Sequence, residues 1–567
     1  MSTKSFESDT LYFGDNLGWM AQWPDATVDL IYLDPPFNSN TDYNMIFGTG
    51  AQVRAYDDTW RWGNVAVQDR DLALSFGGRL AIVMNSLCQM LPETPMLTYL
   101  CHLAPRLCHM HRLLKDTGSL YLHCDDTAGH YIRILLDAVF GPHNYRNVIT
   151  WRRATAHNNA RRFGRITDFI FFYTKSEEYT WNGDSIIHKK TAAEIKKFYP
   201  SKDERGRYRS ADLTGPMQKK SDGSPSTRPW QNYDVFSMGR GWAVPKVGKG
   251  DYADYIKENF IPNYDEIDGI HDRLDALDAA GLIHHPKEGK WPGLKRYAEA
   301  DAAKPPQNLI LSPTGFTNYN KGKGDEYLGY DTQKPEALLR QFIKVSSNPG
   351  DLVLDPYCGC GTTIRVCRDV EGTRNGKKDR RRFVGIDLTH IAISIVETDF
   401  QTKFGEPLRV RGAPEDMESA RDLFTRNAFQ FEAWAVAKVA GLTPNRKQTS
   451  DRGVDGRGYV VVDDRGGREL VLAQVKGGKN LKPADLRDFL GTMTSEGATL
   501  GIFVVMENAL ITPAIRAAAA KRTVTIMTKP YPQVQIFSIE DYFAGHRPTL
   551  PPLINPITNK PADMLGN

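Results

Sequence analysis

Cysteine is scarce in this 567-residue chain. There are seven, an odd number, at positions 88, 101, 108, 124, 358, 360 and 367, and no two fall into C-x-x-C spacing. Such sparse, unpaired thiols exclude a disulfide framework and predict a reduced, cytosolic protein. Long apolar runs are missing too. Nothing approaches the roughly 18 consecutive apolar residues of a membrane span, and the opening MSTKSFESDT lacks the apolar core of a secretion signal. Charge of one sign is not in excess, with a formal net of +4; a basic groove within a near-neutral total remains compatible with that. No G-x-x-x-x-G-K-[ST] sequence and no internal repeat occur, which excludes a phosphate-binding loop of the NTP-hydrolysing kind. The length exceeds one hydrophobic core, so roughly two to four domains are expected.

One crowded segment, Cys101-His102, Cys108-His109 and His111, offers metal ligands. It lies in a stretch of helical spacing, where the seven-residue interval from His102 to His109 is also what ordinary packing produces. Packing is the expected role.

What the chain does contain is alternation. VDLIYLDPPF is an apolar run from Val28 to Leu33 ended by an acid and two prolines, the pattern of a buried parallel strand. Residues 96 to 114 carry helical periodicity, Gly118 is expected to break that helix, and Ser119 to His123 form the next strand. HYIRILLDAVFG reads as a helix closed by Gly141, and NVITW and DFIFFYTK as strands. The pattern dissolves from about 184 to 329, a stretch rich in Lys, Arg, Gly, Pro, Trp and Tyr and too long for a plain loop. It resumes with a helix, the strand Leu352 to Leu354, a Gly-rich loop and, after the basic RNGKKDRRR, the strand FVGID. Alternating strands and helices predict a doubly wound α/β sheet with an insertion. Beyond about 400 the register changes, and a unit with its own core is expected from 421 to 545, followed by an irregular, proline-rich tail at 546–567.

In DPYCGCGTT, glycines 359 and 361 let the backbone approach a ligand, and Asp387 ends the following strand 26 residues past Gly361. An acid there is placed to accept two ribose hydroxyls. Taken alone this marks a nucleoside site of unspecified kind.

IYLDPPFNSNTDYN, GSLYLHCDD, DAVFGPHNYRNVITWRR and YDTQKPEALLRQFIKVSSNPGDLVLDPYCGCGTT, in that order, resemble the amino-methyltransferases of bacterial restriction–modification systems. The order matches their beta group, with the catalytic motif first, the recognition region next and the cofactor loop last. The resemblance covers roughly residues 10 to 400. It implies a Rossmann-like fold split into a catalytic half (1–183), a target recognition region (184–329) and an S-adenosylmethionine-binding half (330–405). It makes Asp34, Pro35, Pro36 and Phe37 catalytic and base-holding, and Asp355, Pro356, Gly359, Gly361, Thr362, Asp387, Lys334 and Pro335 cofactor-binding. Two positions depart from the usual pattern: Cys360 replaces a serine, and Asp331 stands where a proline often precedes TQKP.

In that setting the Asp34 carboxylate and the Pro35 carbonyl form an acceptor pair that helps a base amine pyramidalise, while Phe37 faces a base flipped from the duplex. DPPF leans towards adenine N6 over cytosine N4. Double-stranded DNA is the implied partner, and a homodimer is plausible by family. HKKTAAEIKKFYPSKDERGRYRSADLTG and RPWQNYDVFSMGRGW resemble the recognition region, with Arg207, Arg209 and Arg240 as candidate contacts to phosphate or guanine, and Trp230, Tyr233 and Trp242 to pack or stack.

FEAWAVAKVAGL reads as an amphipathic helix carrying Glu432. After it, two strands joined at Arg465-Gly466-Gly467 place Asp455 before the first and Gln474 and Lys476 on one face of the second. An acid, a polar group and a lysine on a hairpin can hold Mg²⁺ and steady a phosphodiester. This resembles the Mrr-like branch of the PD-(D/E)xK nucleases, a smaller α/β domain, with Gln474 in place of the second acid, Asp455 and Gln474 as Mg²⁺ ligands and Glu432 as a possible compensating acid. The reading that follows is a fused modification and cleavage protein. A lone methyltransferase with a DNA-binding C-terminal domain, and a non-catalytic DNA-binding subunit, stay open as alternatives.

Overall fold

The computed structural model describes residues 6–36, 43–46, 52–56, 62–154, 161, 163–186, 188–189, 192–216, 225–245, 252–286, 291–300, 303–304, 306–315, 326–328, 332–374, 376–444, 454–463, 467–478, 481–519 and 522–554. Phe37 and Asp331 lie outside them. Two compact units result: Gly183–Pro306, and the rest of the chain on either side of it.

A nine-stranded sheet organises the larger unit. Its order is Leu309–Ile310, Tyr145–Arg152, Thr167–Thr174, Leu114–Cys124, Val28–Leu33, Leu352–Asp355, Arg382–Asp387, Thr10–Phe13 and Arg409–Arg411. The five strands from Leu114–Cys124 to Thr10–Phe13 run parallel, as does the Arg409–Arg411 edge, while Thr167–Thr174 is antiparallel to both its neighbours. Val28–Leu33 is buried at all six positions. Leu30 and Tyr32 belong to one core, Val28, Ile31 and Leu33 to the other, so the continuous apolar run serves a central strand covered on both faces.

Gly118 does not end a helix. The helix Pro95–Leu113 already stops, and Gly118 lies within Leu114–Cys124, where a Cβ would meet Leu114 Cδ2 at 2.8 Å and Lys115 O at 2.9 Å. A tight, bulged backbone opposite Val28–Leu30 demands the glycine.

The strand Leu309–Ile310, inside the stretch read as recognition region, pairs with Tyr145–Arg152 in this sheet. The smaller unit carries a four-stranded antiparallel sheet in the order Ile283–His284, Gly293–Tyr297, Gly206–Asp212, Ser201–Asp203.

The C-terminal domain has a five-stranded sheet in which Gly456–Val461 pairs antiparallel with Arg468–Lys476, and Arg468–Lys476 parallel with Leu500–Val505. One face has its own core, Leu472 with Leu486, Phe489 and Phe503. The other face does not: Val471, Ala473 and Val475 share a continuous core with Phe431 and Trp434 and with Ile393, Val396 and Phe400 of the nine-stranded sheet domain. In the described part of the proline-rich tail, residues 546–552 form no helix or strand, and Leu553 and Ile554 are tied to the sheet. Leu553 bridges Val460, and Ile554 N–H donates to Tyr459 O at 2.8 Å.

Candidate functional site

Val28–Leu33 and Leu352–Asp355 are hundreds of residues apart in the chain but adjacent in the sheet, with Leu354 opposite Ile31. That register sets Asp355 level with Tyr32 and brings Asp34 just beyond, all at the carboxyl ends of parallel strands. The chain leaves these two strands towards opposite edges of the sheet, so the crevice between them is a topological switch point, where such sheets bind ligands. A cavity opens there. Its walls include Asp34, Pro35, Pro36, Lys334, Asp355, Pro356, Gly359, Thr362 and Asp387.

Three carboxylates meet in this space. Asp355 is buried; Thr363 Oγ1 and Tyr357 N–H donate to it at 2.5 and 3.1 Å. Burial pushes its carboxyl up to about 7 despite those bonds, with the charges of Asp34 and Asp387 adding to the effect. Asp387 accepts from Thr389 N–H and Oγ1, both at 2.8 Å, and from Gly359 N–H at 2.9 Å. Burial raises its carboxyl as well. Both Thr389 bonds fall on Oδ1, so Oδ2, which takes only Gly359 N–H, keeps lone-pair capacity for an incoming hydroxyl. Asp34 accepts through Oδ2 from Lys334 Nζ, while its buried Oδ1 has no hydrogen-bond partner among the described residues.

The glycine loop divides its work. Gly359, at φ +49°, lines the cavity. Gly361 is not among its walls; it caps the helix Thr362–Asp369 at φ +78°, and a Cβ there would lie 2.8 Å from both Val396 methyls. Its role is close packing of loop on helix. Pro335, likewise outside the cavity wall, stands at the N-cap of the helix Glu336–Val345.

The sequence reading missed one whole wall. Gly14, Asp15 and Asn16, following the strand Thr10–Phe13, line the cavity with His102 and Tyr357. Arg106, 2% exposed, ties them together: Nε donates to Asn16 Oδ1 at 2.7 Å and Nη2 to Asp15 Oδ1 at 2.8 Å. His102 Nε2 lies 3.1 Å from Tyr357 Oη. Burial, with Arg106 beside it, lowers the His102 imidazole to about 4, so the ring is neutral at ordinary pH. His102 is therefore more than a packing residue of its helix. Among the described residues no group of three His, Cys, Asp or Glu could hold a metal ion. The signal for this wall was present: TLYFGD, like FVGID, is a short apolar strand with a glycine and a terminal acid.

In the smaller unit, Trp230 and Trp242 are core aromatics, 4% and 3% exposed. Arg240 is held by Asp212 Oδ2 and Thr214 Oγ1, both at 2.6 Å, and Arg207 donates to Tyr199 O.

In the C-terminal domain, Asp455 Oδ2 accepts from Val475 N–H at 2.6 Å, which sets the acid beside Gln474 and Lys476. Gln474 is 6% exposed, and its Oε1 has no partner among the described residues. Glu432 sits on Ala428–Trp434. That helix packs on the Ala473 and Val475 face of the strand, opposite the face of Gln474 and Lys476. Tertiary packing thus brings Asp455 to the strand that carries Gln474 and Lys476, while the helix of Glu432 packs through Phe431 and Trp434 on that strand's other face.

Residues 421–530 match the restriction endonuclease family of the Mrr catalytic type. Over 378 residues the chain is 26% identical to the type II methyltransferase M.EcaI of Enterobacter cloacae, covering 65% of this chain and 64% of that protein. It is 25% identical over 376 residues to the StyLTI Mod subunit, a type III restriction-modification enzyme of Salmonella typhimurium, covering 64% and 50%. The chain thus spans between half and two thirds of these relatives' length. A 64-residue stretch is 48% identical to the DNA adenine methyltransferase YhdJ of Escherichia coli strain K12, covering 11% of this chain and 19% of that protein. Residues 28–398, well over half the chain, match the N6/N4 DNA methylase family, and the chain belongs to it.

Proposed function

We propose that the chain methylates the exocyclic amine of a base in double-stranded DNA, N6 of adenine in particular, with S-adenosylmethionine as the donor. The observation that carries this reading is Asp34 Oδ1, a buried acceptor without a partner among the described residues, on a wall shared with the glycine loop and Asp387.

The target amine is a poor nucleophile, because its lone pair is delocalised into the ring, and it is out of reach until the base leaves the stack. Asp34 Oδ1 and the Pro35 carbonyl accept its two N–H groups, and the nitrogen pyramidalises. Bound S-adenosylmethionine supplies an electrophilic methyl on a sulfonium. As the nitrogen–carbon bond forms, the carbon–sulfur bond breaks with its electron pair left on sulfur, and the surplus amine proton passes to Asp34 Oδ1. Asp387 fits the ribose hydroxyls, and Gly359 admits the cofactor close to the backbone. Adenine is favoured over cytosine by the DPPF tetrapeptide and by the adenine in the name of the 64-residue relative. Phe37 stacks on the flipped base, and Gly183–Pro306 supplies target recognition.

The test is nucleoside mass spectrometry on plasmid DNA treated with protein and S-adenosylmethionine. N6-methyladenine that disappears with Asp34→Ala supports the reading. N4-methylcytosine keeps the chemistry and changes the base; no methylated nucleoside on several DNAs sinks it.

For the C-terminal domain the reading is Mg²⁺-dependent DNA cleavage. Its oxygen donors, Asp455 and the unpartnered Gln474 Oε1, suit a hard cation. The metal supplies Lewis-acid activation of water, and Lys476 neutralises charge growing on the phosphate. Lys476→Ala is expected to abolish nicking in Mg²⁺ and to leave methylation intact. Wild-type protein that nicks no DNA in Mg²⁺ leaves a DNA-binding domain instead. Assembly as a homodimer belongs to the same reading and is checked by sedimentation.

A further inference from the structure

Lys334 was expected to hold the cofactor. Its ammonium, 8% exposed as a side chain, instead pairs with Asp34 Oδ2 and donates to Thr332 O at 3.2 Å. One N–H donor is therefore committed to the catalytic half, at Asp34, and another to the lysine's own turn, at Thr332. The partners lie 300 residues apart in the chain.

The turn that carries Lys334 is held from several sides. Gln333, 5% exposed, accepts Leu328 N–H at 2.8 Å and donates to Glu326 O at 2.5 Å. Glu336 N–H donates to Glu326 Oε1 at 2.5 Å. The Glu336 carboxylate then receives Arg365 Nε at 2.9 Å, and Arg365, 2% exposed, donates to Cys360 O at 2.9 Å. A chain of buried and part-buried polar contacts thus runs from the glycine loop to Lys334, so the ammonium is placed by the cofactor-binding half and acts on the catalytic half.

For Asp34 this has a geometric result. A carboxylate with two free oxygens rotates about its Cβ–Cγ bond and offers either one. With Oδ2 held by a fixed ammonium, one acceptor, Oδ1, remains at one orientation, buried and without a partner among the described residues. The ammonium also compensates a carboxylate that is only 17% exposed, whose burial alone is costly.

We propose that Lys334 is a positioning residue for methyl transfer. It locks the Asp34 carboxylate so that Oδ1 alone meets the target amine, and it does little to bind S-adenosylmethionine. This rests on the methyltransferase reading of the site above. The pair spans the two halves of a split sheet domain, so the catalytic acid is aligned only when the cofactor half is folded against it.

The experiment compares wild type, Lys334→Met, Lys334→Arg, Asp34→Asn and the Asp34→Asn/Lys334→Met double variant in the full chain. S-adenosylmethionine affinity is measured by calorimetry, methyl transfer to plasmid DNA under saturating cofactor, and Tm by heat scanning. Misplacement of a reacting group by about 1 Å costs on the order of 100-fold in rate, so Lys334→Met is expected to lower kcat by about that factor. Its cofactor Kd is expected to change less than about 2-fold, and Lys334→Arg to restore part of kcat. Lys334→Met also strands a buried carboxylate and lowers Tm, whereas the double variant recovers most of that loss, since neighbouring partners are non-additive. A cofactor Kd weakened tenfold or more with kcat preserved makes Lys334 a cofactor ligand and overturns the proposal. Additive Tm losses in the double variant overturn it too. Wild-type protein inactive on every DNA tried is a separate failure, that of the methyltransferase reading itself.

Discussion

Lys438 Nζ lies 2.6 Å from Glu397 Oε2, joining the C-terminal domain to the helix His390–Phe404 that follows the Asp387 strand. Around this pair, Phe431, Trp434 and Val436 share a core with Ile393, Val396 and Phe400. The apolar core does most of the joining; the ion pair, partly exposed, contributes about 0.5–1 kcal/mol.

Removal of residues 413–567 therefore uncovers apolar surface on the helix His390–Phe404. The truncated protein is expected to aggregate or to melt well below the full chain, whereas Lys438→Met lowers Tm only slightly. Heat scanning of both variants checks this, and a truncated form that melts with wild type refutes the shared core.

Gly361 combines a left-handed backbone with contact against Val396, whereas Gly405 has φ +70° and open space around its missing Cβ. Gly405→Ala is expected to cost about 1 kcal/mol through backbone strain alone. Gly361→Ala adds overpacking of about 1–3 kcal/mol and shifts the loop, weakening S-adenosylmethionine binding. Urea unfolding and calorimetry separate the two; equal costs would mean that the Val396 contact yields freely.

Asp355 is pushed from 3.8 to about 7 by burial. Between those values the folded protein holds a proton that the unfolded chain has released, so this group makes stability fall as pH rises through the window. Asp355→Asn is expected to flatten that slope, even though the loss of one acceptor for Tyr357 and Thr363 lowers stability overall. Unfolding free energies across the window provide the measurement, and an unchanged slope counts against the raised carboxyl.

His390 acts in the opposite sense. Its ring is fully buried edge-on to Phe13, neither nitrogen has a hydrogen-bond partner among the described residues, and burial lowers it from 6.5 to about 3. Folded protein stays neutral there while the unfolded chain gains a proton, so stability is lost as pH falls from 6.5 towards 3, by about 1.4 kcal/mol per pH unit for one group. His390→Phe keeps the ring contact and is expected to shallow the acid limb of the Tm profile by one proton. Half-buried His102, His109 and His111, each lowered to about 4, leave a residual slope.

The strand Val28–Leu33 and its terminal Asp34 were legible because a strand covered on both faces must be apolar throughout, and prolines must end it. Asp355, the glycine loop and Asp387 were legible for a related reason: ligand approach at a strand end requires small residues and an acid within a few positions. Gly118 was misread, because a glycine required by a neighbouring backbone looks the same in sequence as a helix stop. Trp230 and Trp242 left packing and stacking equally open, and only burial separated them.

By itself the sequence determined the α/β alternation, the family, and which acids and glycines cluster at strand ends, since periodicity and turn chemistry act over a few residues. Tertiary structure alone decided that Lys334 meets Asp34, that His102 and Asn16 wall the cavity, that the helix of Glu432 packs on the strand face opposite Lys476, and that the two enzyme-like domains share a core. Each of these depends on strand order and helix packing between residues far apart in the chain. No local propensity records which distant side chain supplies a buried partner.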